Sequence, residues 1–436
     1  MSSSKLIKNT LFLSLVQAVN FVFPLITIPY ISRIIGPEGY GIFNYSTAFI
    51  GYFTLLIAYG FDLTGTRKIA KADGNKNVIN TVISEVLSAR ILLFLFSIIL
   101  FVIALYFFRP IQKDVLTVSI LFIGCLGTVI SPQYIFQGLQ ELSIFAKLNF
   151  VRGVINVALV FTLIKKSDDY IFLAVLNTFF IISINIFLFL YAIWKFKLSV
   201  KLISFLQSLE IIFNERMIFF STVVISLYTS TNTIVLGFFA DNKEIGYYTT
   251  SQNFLNIVNS IIAMPLSTAL FPFVGKSFAI SKENGINTIK KIMPIVFYLT
   301  LGASVCVLIF APIVIKLFYG HKFDQSIPAL QIISFLPFII GMSNIFGIQL
   351  MLNMGMDKLF FKTTFIASIF GIILNIFMSK MWGYIGTAWN CLIIECFVTL
   401  LMYFALRRKG VNPFDIVNFR FLSIKEMILM SFRKNK

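Results

Sequence analysis

The chain reads as an all-α polytopic membrane protein, and three observations carry that reading. Twelve separate stretches of its 436 residues are apolar with almost nothing charged inside them. Each runs for about 20 residues, which at a rise of about 1.5 Å per residue crosses a hydrocarbon core of about 30 Å. Hydrophobic residues make up 58% of the chain and charged ones only 12%, which leaves no room for a sizeable soluble domain. The apolar runs are continuous, without the alternation over about ten residues that marks a barrel wall, so the spans are helices.

The first six spans fall at 10–32, 42–63, 82–108, 115–138, 147–164 and 171–194, and the second six at 217–240, 252–273, 292–318, 327–354, 360–379 and 384–406. Span 1 contains Pro24 and Pro29 and span 8 contains Pro265, each of which removes a backbone donor and makes a candidate hinge. Arg90 and Arg152 fall in the first turns of spans 3 and 5, where inner-face anchoring accounts for them. Glu395 lies near the middle of span 12, where an ionised carboxylate costs roughly 3 kcal/mol, so protonation, pairing or a coupling role is expected there.

Orientation follows from the cations. With the N-terminus inside, the inner segments hold 27 of the 36 Lys and Arg residues. Both termini are then cytoplasmic, and the net charge of +18 reads as a topology signal with attraction to anionic lipid, not as nucleic-acid binding. The apolar run after Lys5 and Lys8 has no small-residue cleavage site and is read as a retained helix. Cys125, Cys306, Cys391 and Cys396 all fall within spans and form no CxxC pair, and with His321 as the lone histidine no metal site is expected.

The halves echo one another. Gly41-Ile42-Phe43 with Phe49 has a counterpart 205 residues on in Gly246-Tyr247-Tyr248 with Phe254, and Asn80-Thr81-Val82 is matched by Asn287-Thr288-Ile289. A six-plus-six division at the basic linker 195–216 suggests an N-terminal lobe over 1–205, a C-terminal lobe over 206–406 and a basic cytoplasmic tail over 407–436. Parallel repeats of this kind are a transporter architecture, with the site between repeats. Polar stripes mark the candidate cavity helices: Gln17, Asn20 and Thr27 in span 1, Thr47 and Thr54 in span 2, Tyr228, Thr229, Asn232 and Thr233 in span 7, and Gln252, Asn256 and Asn259 in span 8. Hydroxyls also serve simply to join helices, whereas amides are harder to satisfy in hydrocarbon and favour a wetted cavity. Span 12 is not among these cavity helices.

Four segments resemble the Wzx-type flippases of polysaccharide repeat units, within the multidrug/oligosaccharidyl-lipid/polysaccharide exporter superfamily. They are Ile28-Pro29-Tyr30-Ile31-Ser32-Arg33-Ile34-Ile35-Gly36-Pro37-Glu38-Gly39-Tyr40-Gly41, then Tyr59-Gly60-Phe61-Asp62-Leu63-Thr64-Gly65-Thr66-Arg67, then Pro132-Gln133-Tyr134-Ile135-Phe136-Gln137-Gly138-Leu139, and Tyr228-Thr229-Ser230-Thr231-Asn232-Thr233-Ile234-Val235-Leu236-Gly237 followed by Ile245-Gly246-Tyr247-Tyr248. The resemblance implies two six-helix lobes in a V around a central cavity. It also implies transport of undecaprenyl-diphosphate-linked oligosaccharide from the inner to the outer leaflet of the bacterial cytoplasmic membrane, for O-antigen, capsule or exopolysaccharide.

A diphosphate needs cations, and Arg33, on the cation-poor outer face and inside the first motif, is the leading one. Asp62, Arg67 and Glu395 are candidates for gating or coupling, Asp62 being expected to pair with nearby Arg67. No cofactor is expected beyond coupling to a proton or sodium gradient, and the candidate partners are the lipid-linked glycan, membrane lipids, and a polysaccharide polymerase with its chain-length partner. No phosphate loop, carboxylate pair or nucleotide fingerprint occurs in a cytoplasmic segment, so the chain is not read as an enzyme. A membrane-embedded polymerase or ligase, and a cation-coupled multidrug exporter of the same superfamily, stand as the alternatives.

Overall fold

Why the helices start and stop where they do is visible in their ends. The computed structural model describes the backbone of residues 3–414, and side chains from residue 23 onward except those of 142, 146, 221, 225, 227–230, 263–269 and 272. Among the described residues the chain is 87% helix, with no strand. In order come α1 (Ser3–Ala58), α2 (Phe61–Lys71), α3 (Lys76–Phe107), the short α4 (Arg109–Gln112), α5 (Val115–Ile123), α6 (Cys125–Val129) and α7 (Gln133–Gly138), then α8 (Leu142–Leu163) and α9 (Tyr170–Phe196). There follow α10 (Phe205–Leu236), α11 (Asn242–Ile280), α12 (Lys282–Val314), α13 (Ser326–Ile333), α14 (Leu336–Asn344), a π-helical turn at Ile345–Leu352, and α15 (Asp357–Arg408). Asn75 Oδ1 accepts from the amides of Asn77 and Val78 at 3.1 and 3.4 Å, Asp114 Oδ1 from Thr117 at 3.1 Å, and Ser281 Oγ from Asn284 at 3.0 Å. These side chains satisfy first-turn donors that the helices themselves leave unpaired.

Eight helical segments are long and apolar enough to cross a membrane among the described residues. The expected span 1 and most of span 2 lie in α1, and spans 11 and 12 both lie in α15. In α1 the only non-helical residue is Gly36, at φ 68° and ψ −179°, a region essentially closed to residues with a Cβ. The break between spans 1 and 2 therefore falls at Gly36, inside the expected 33–41 connection, while Pro24 and Pro29 stay within helical backbone. In α15 the break is at Trp382 and Gly383. Span 2 is interrupted at Tyr59 and Gly60, both at positive φ, so the Asp62 segment starts a new helix, α2.

Contacts divide the chain into two compact units. The first comprises Met1–Ser226 with Asp241–Gly246 and Leu317–Lys322; the second comprises Leu227–Ala240, Tyr247–Lys316 and Phe323–Lys436. The first is packed around Phe61, Ile69, Ile83, Val86, Ile135 and Phe136, and the second around Val274, Met293, Ile345, Leu350, Met351 and Val398.

Within the first unit the linker between α9 and α10 is laced to α3. Ser199 N donates to Asn80 Oδ1 at 3.0 Å, Lys201 N to Ser84 Oγ at 3.0 Å and Ile203 N to Ser88 Oγ at 3.1 Å. Every second residue of the linker thus meets every fourth residue of the helix. The match is geometric: two extended residues advance about 6.6 Å and one helical turn of four about 6 Å.

Candidate functional site

Two buried polar constellations stand out, one in each unit. In the second unit, Asn232 on α10 faces the two halves of α15. Its Oδ1 accepts from Asn375 Nδ2 at 3.1 Å and from Asn390 Nδ2 at 3.0 Å. Asn375 Oδ1 in turn accepts from Ser379 Oγ at 2.8 Å, and the Ser379 and Thr387 hydroxyls lie 2.7 Å apart. Asn375, Ser379, Thr387 and Asn390 are at most 1% exposed. Asn390 Oδ1 is buried with no hydrogen-bond partner among the described residues. Asn232, Asn375 and Asn390 border a cavity with room for about one water-sized occupant, lined also by Thr231, Ser368, Cys391 and Glu395. Amide oxygens, hydroxyls and one carboxylate around so small a space suit a proton or a small hard cation better than any large polar group. The kink at Trp382 and Gly383 makes the constellation: it folds α15 back on itself so that Asn375 and Asn390 flank one amide.

In the first unit, Arg90 lies about four turns into α3 because that helix starts at Lys76, not at residue 82. Its side chain has no exposed surface. Nη2 donates to Asp62 Oδ1 and Nη1 to Ser131 O, both at 2.9 Å, and the guanidinium sits 5.4 Å from the Tyr134 ring centroid. One side chain therefore joins α2, α3 and the turn leading into α7. The same elements interlock through glycine: a Cβ on Gly65 would meet the Tyr134 ring at 2.8 Å and one on Gly138 would meet Ile69 at 2.6 Å.

Several expectations change in this light. Asp62 pairs with Arg90, and Arg67 is exposed, so the expected Asp62–Arg67 pair is not formed. Arg90 is a core ion-pair partner and not an inner-face anchor. Glu395 of span 12, set apart from the cavity helices by its sequence position, borders the same cavity as Asn232. Arg33 is exposed and donates to Leu317 O at the end of the helix that follows Val314. Gln252 accepts from Thr233 Oγ1 at 3.4 Å, and Asn256 is exposed. Gln17, Asn20, Tyr228, Thr229 and Pro265 lie outside the residues whose side chains are described. Asn375 and Asn390 escaped the sequence reading, although the rule applied to Asn232, an amide inside an apolar span, marks them equally.

The fold and these buried polar groups define a multi-pass helical membrane protein with polar sites inside its hydrocarbon-length helices. Residues 6–278 match the family described as polysaccharide biosynthesis protein, and the chain belongs to that family. A protein of Escherichia coli (strain K12) named "Putative O-antigen transporter" is 27% identical over 409 residues, covering 92% of this chain and 97% of that one. A protein of the same name from Shigella dysenteriae is 24% identical, covering 92% of this chain and all of that one. Among solved structures, the lipid II flippase MurJ in an inward closed conformation superposes with a TM-score of 0.72 at 16% identity, over 98% of this chain and 92% of that one. An inward-facing multidrug transporter of the MATE family gives 0.69 at 14% identity, over 92% and 98%. At these identities the structural likeness establishes a shared fold.

Proposed function

We propose that the protein is a flippase that carries undecaprenyl-diphosphate-linked oligosaccharide repeat units across the bacterial cytoplasmic membrane for surface polysaccharide assembly. The observation that carries the reading is the family match together with transporter-named relatives aligned along almost their whole length. The physical task is to bring a sugar headgroup and diphosphate through hydrocarbon, where bare polar groups are costly. Twelve spans in two six-helix lobes over 1–205 and 206–406, with both termini and the basic tail cytoplasmic, would do this by alternating access while the lipid tail stays in the bilayer. Arg33, Gln17, Asn20, Tyr228, Thr229, Gln252 and Asn256 are the proposed headgroup contacts.

Coupling to a proton or sodium gradient is proposed to run through the Asn232 cavity. Glu395 supplies its carboxylate there, and the amides of Asn375 and Asn390 supply the fixed dipoles. A polymerase and a chain-length partner would take the flipped unit onward, and the chain itself transports without synthesis. Deleting the coding sequence in the native strain tests the reading. Complete diphosphate-linked repeat units should accumulate on the inner leaflet and surface polysaccharide should be lost. Repeat units that reach the outer leaflet but stay unpolymerised would move the function to a polymerase or ligase.

A further inference from the structure

Residues 36–41, which turn the chain at the Gly36 kink, meet the start of α11 in a reciprocal crossing. A Cβ built on Gly41 would overlap Asn242 O and stand 2.8 Å from Gly246 N, and a Cβ on Gly246 would overlap Pro37 O. Pro37 precedes Gly41 by four residues, and Asn242 precedes Gly246 by four. Each glycine therefore meets the carbonyl at the same relative place in the other segment, as two equivalent segments related by a two-fold axis must. Gly41 and Gly246 are also the pair that the internal repeat equates. The crossing is thus backbone on backbone, and a single methyl group at either position prevents it from seating.

Two further contacts in the same unit hold residues 317–322 against this turn. Arg33 donates to Leu317 O, a cation on a helix-terminal carbonyl. Tyr40 and Tyr319, 4% and 1% exposed, meet edge to face with ring centroids 6.2 Å apart. Residues 241–246 and 317–322 are continuous in chain with helices of the other unit. They lie on the side that the cation count assigns to the outside. The crossing itself is backbone on backbone and none of these contacts is a buried charge pair, so parting them leaves no unpaired buried charge.

We propose that the Gly41–Gly246 crossing is the outer latch of the transport path, closed by paired glycine backbones with Arg33 as its bolt. It rests on the alternating-access reading given above: the latch must part for a headgroup to leave toward the outer leaflet. Glycine is required at both positions because closure needs the carbonyls of Pro37 and Asn242 to approach where a Cβ would sit.

The test uses the full chain without its four cysteines, carrying Tyr40→Cys, in native membranes treated from the outer side with a membrane-impermeant maleimide. Gly41→Ala and Gly246→Ala should each raise the labelling rate at least fivefold. Gly302→Ala, where a Cβ meets nothing within 4 Å, should leave the rate unchanged. Equal rates for the glycine variants at parental membrane levels would overturn the latch. Should either variant fail to reach the membrane, Tyr40→Cys with Tyr319→Cys joined by a short bismaleimide decides. Export should fall at least tenfold against the same chain capped by a monofunctional maleimide, and undiminished export with the bridge formed would overturn the proposal. Labelling requires no lipid-linked glycan, so a chain that transports no glycan yet shows the glycine effect keeps the latch and removes the flippase reading.

Discussion

Arg90 Nη2 donates to Asp62 Oδ1 at 2.9 Å from a side chain with no exposed surface, while the Asp62 carboxylate keeps 35% of its own. A buried cation of this kind is held by its partner more than it stabilises by itself: the Coulomb gain roughly offsets desolvation, but removing one partner leaves an unpaired buried charge. The pair therefore fixes the relation of α2 to α3 and the 131–134 turn, and any change there propagates through all three.

Asp62→Asn should destabilise the protein by about 3 kcal/mol, the lower end of the cost of breaking a buried pair because the carboxylate is partly exposed. Replacing both partners, as Asp62→Leu with Arg90→Met, should recover most of the loss. Thermal unfolding of the purified variants in detergent measures both, and a double variant no better than the worse single one would show that the pair is not the cause.

The linker lacing predicts a local effect. Ser84→Ala with Ser88→Ala removes the acceptors of Lys201 N and Ile203 N, about 1 kcal/mol each. Limited proteolysis should then cut within 197–204 several-fold faster than in the parent, with little change in global stability. An unchanged cleavage rate would mean the hydroxyls do not hold the linker.

Overpacking at the α2–α7 crossing makes a third case. A Cβ on Gly138 would lie 2.6 Å from Ile69 Cγ2 and 3.2 Å from Thr66 O, so Gly138→Val should cost about 1–3 kcal/mol. Ile69→Ala in the same chain should return only part of that, since the contact with Ile69 Cγ2 disappears while those with the residue's own Cβ, at 2.7 Å, and with Thr66 O remain. Unfolding midpoints of the two singles and the double settle it.

Composition and run length made the helical class legible, because hydrocarbon length and backbone satisfaction leave few options. The Gly41 and Gly246 repeat was also visible in the sequence, and the two glycines meet in the fold. Gly36, which makes the break between spans 1 and 2, lies inside the 33–41 connection that run length predicts, but which residue of that connection carries it is silent in the sequence, because a glycine's positive φ shows only in the backbone. Arg90 read as an anchor because the start of α3 was placed six residues late, which moved a core residue toward the interface. Asn232 and Glu395 are 163 positions apart, and only the fold of α15 brings them to one cavity.

Glu395→Gln keeps the size of the side chain while removing its charge and its proton affinity. Protein level should stay near parental, whereas export should fall about tenfold, equivalent to about 1.4 kcal/mol in barrier, and lose its dependence on the cation gradient. Asn232→Leu should also lower stability, because the Asn375 and Asn390 amides lose their shared acceptor at about 1–3 kcal/mol. Export rates measured with and without an imposed proton or sodium gradient report the first effect and unfolding reports the second. Full gradient dependence in Glu395→Gln would remove that carboxylate from coupling.

The most direct measurement reconstitutes the purified chain in liposomes with a fluorescent undecaprenyl-diphosphate-linked oligosaccharide and follows the glycan's accessibility to an external glycosidase. A flippase exposes the inner-leaflet pool in minutes, faster under an imposed cation gradient, while empty liposomes keep it protected. If the inner pool stays protected at the empty-liposome rate with folded protein present, the transport reading is contradicted.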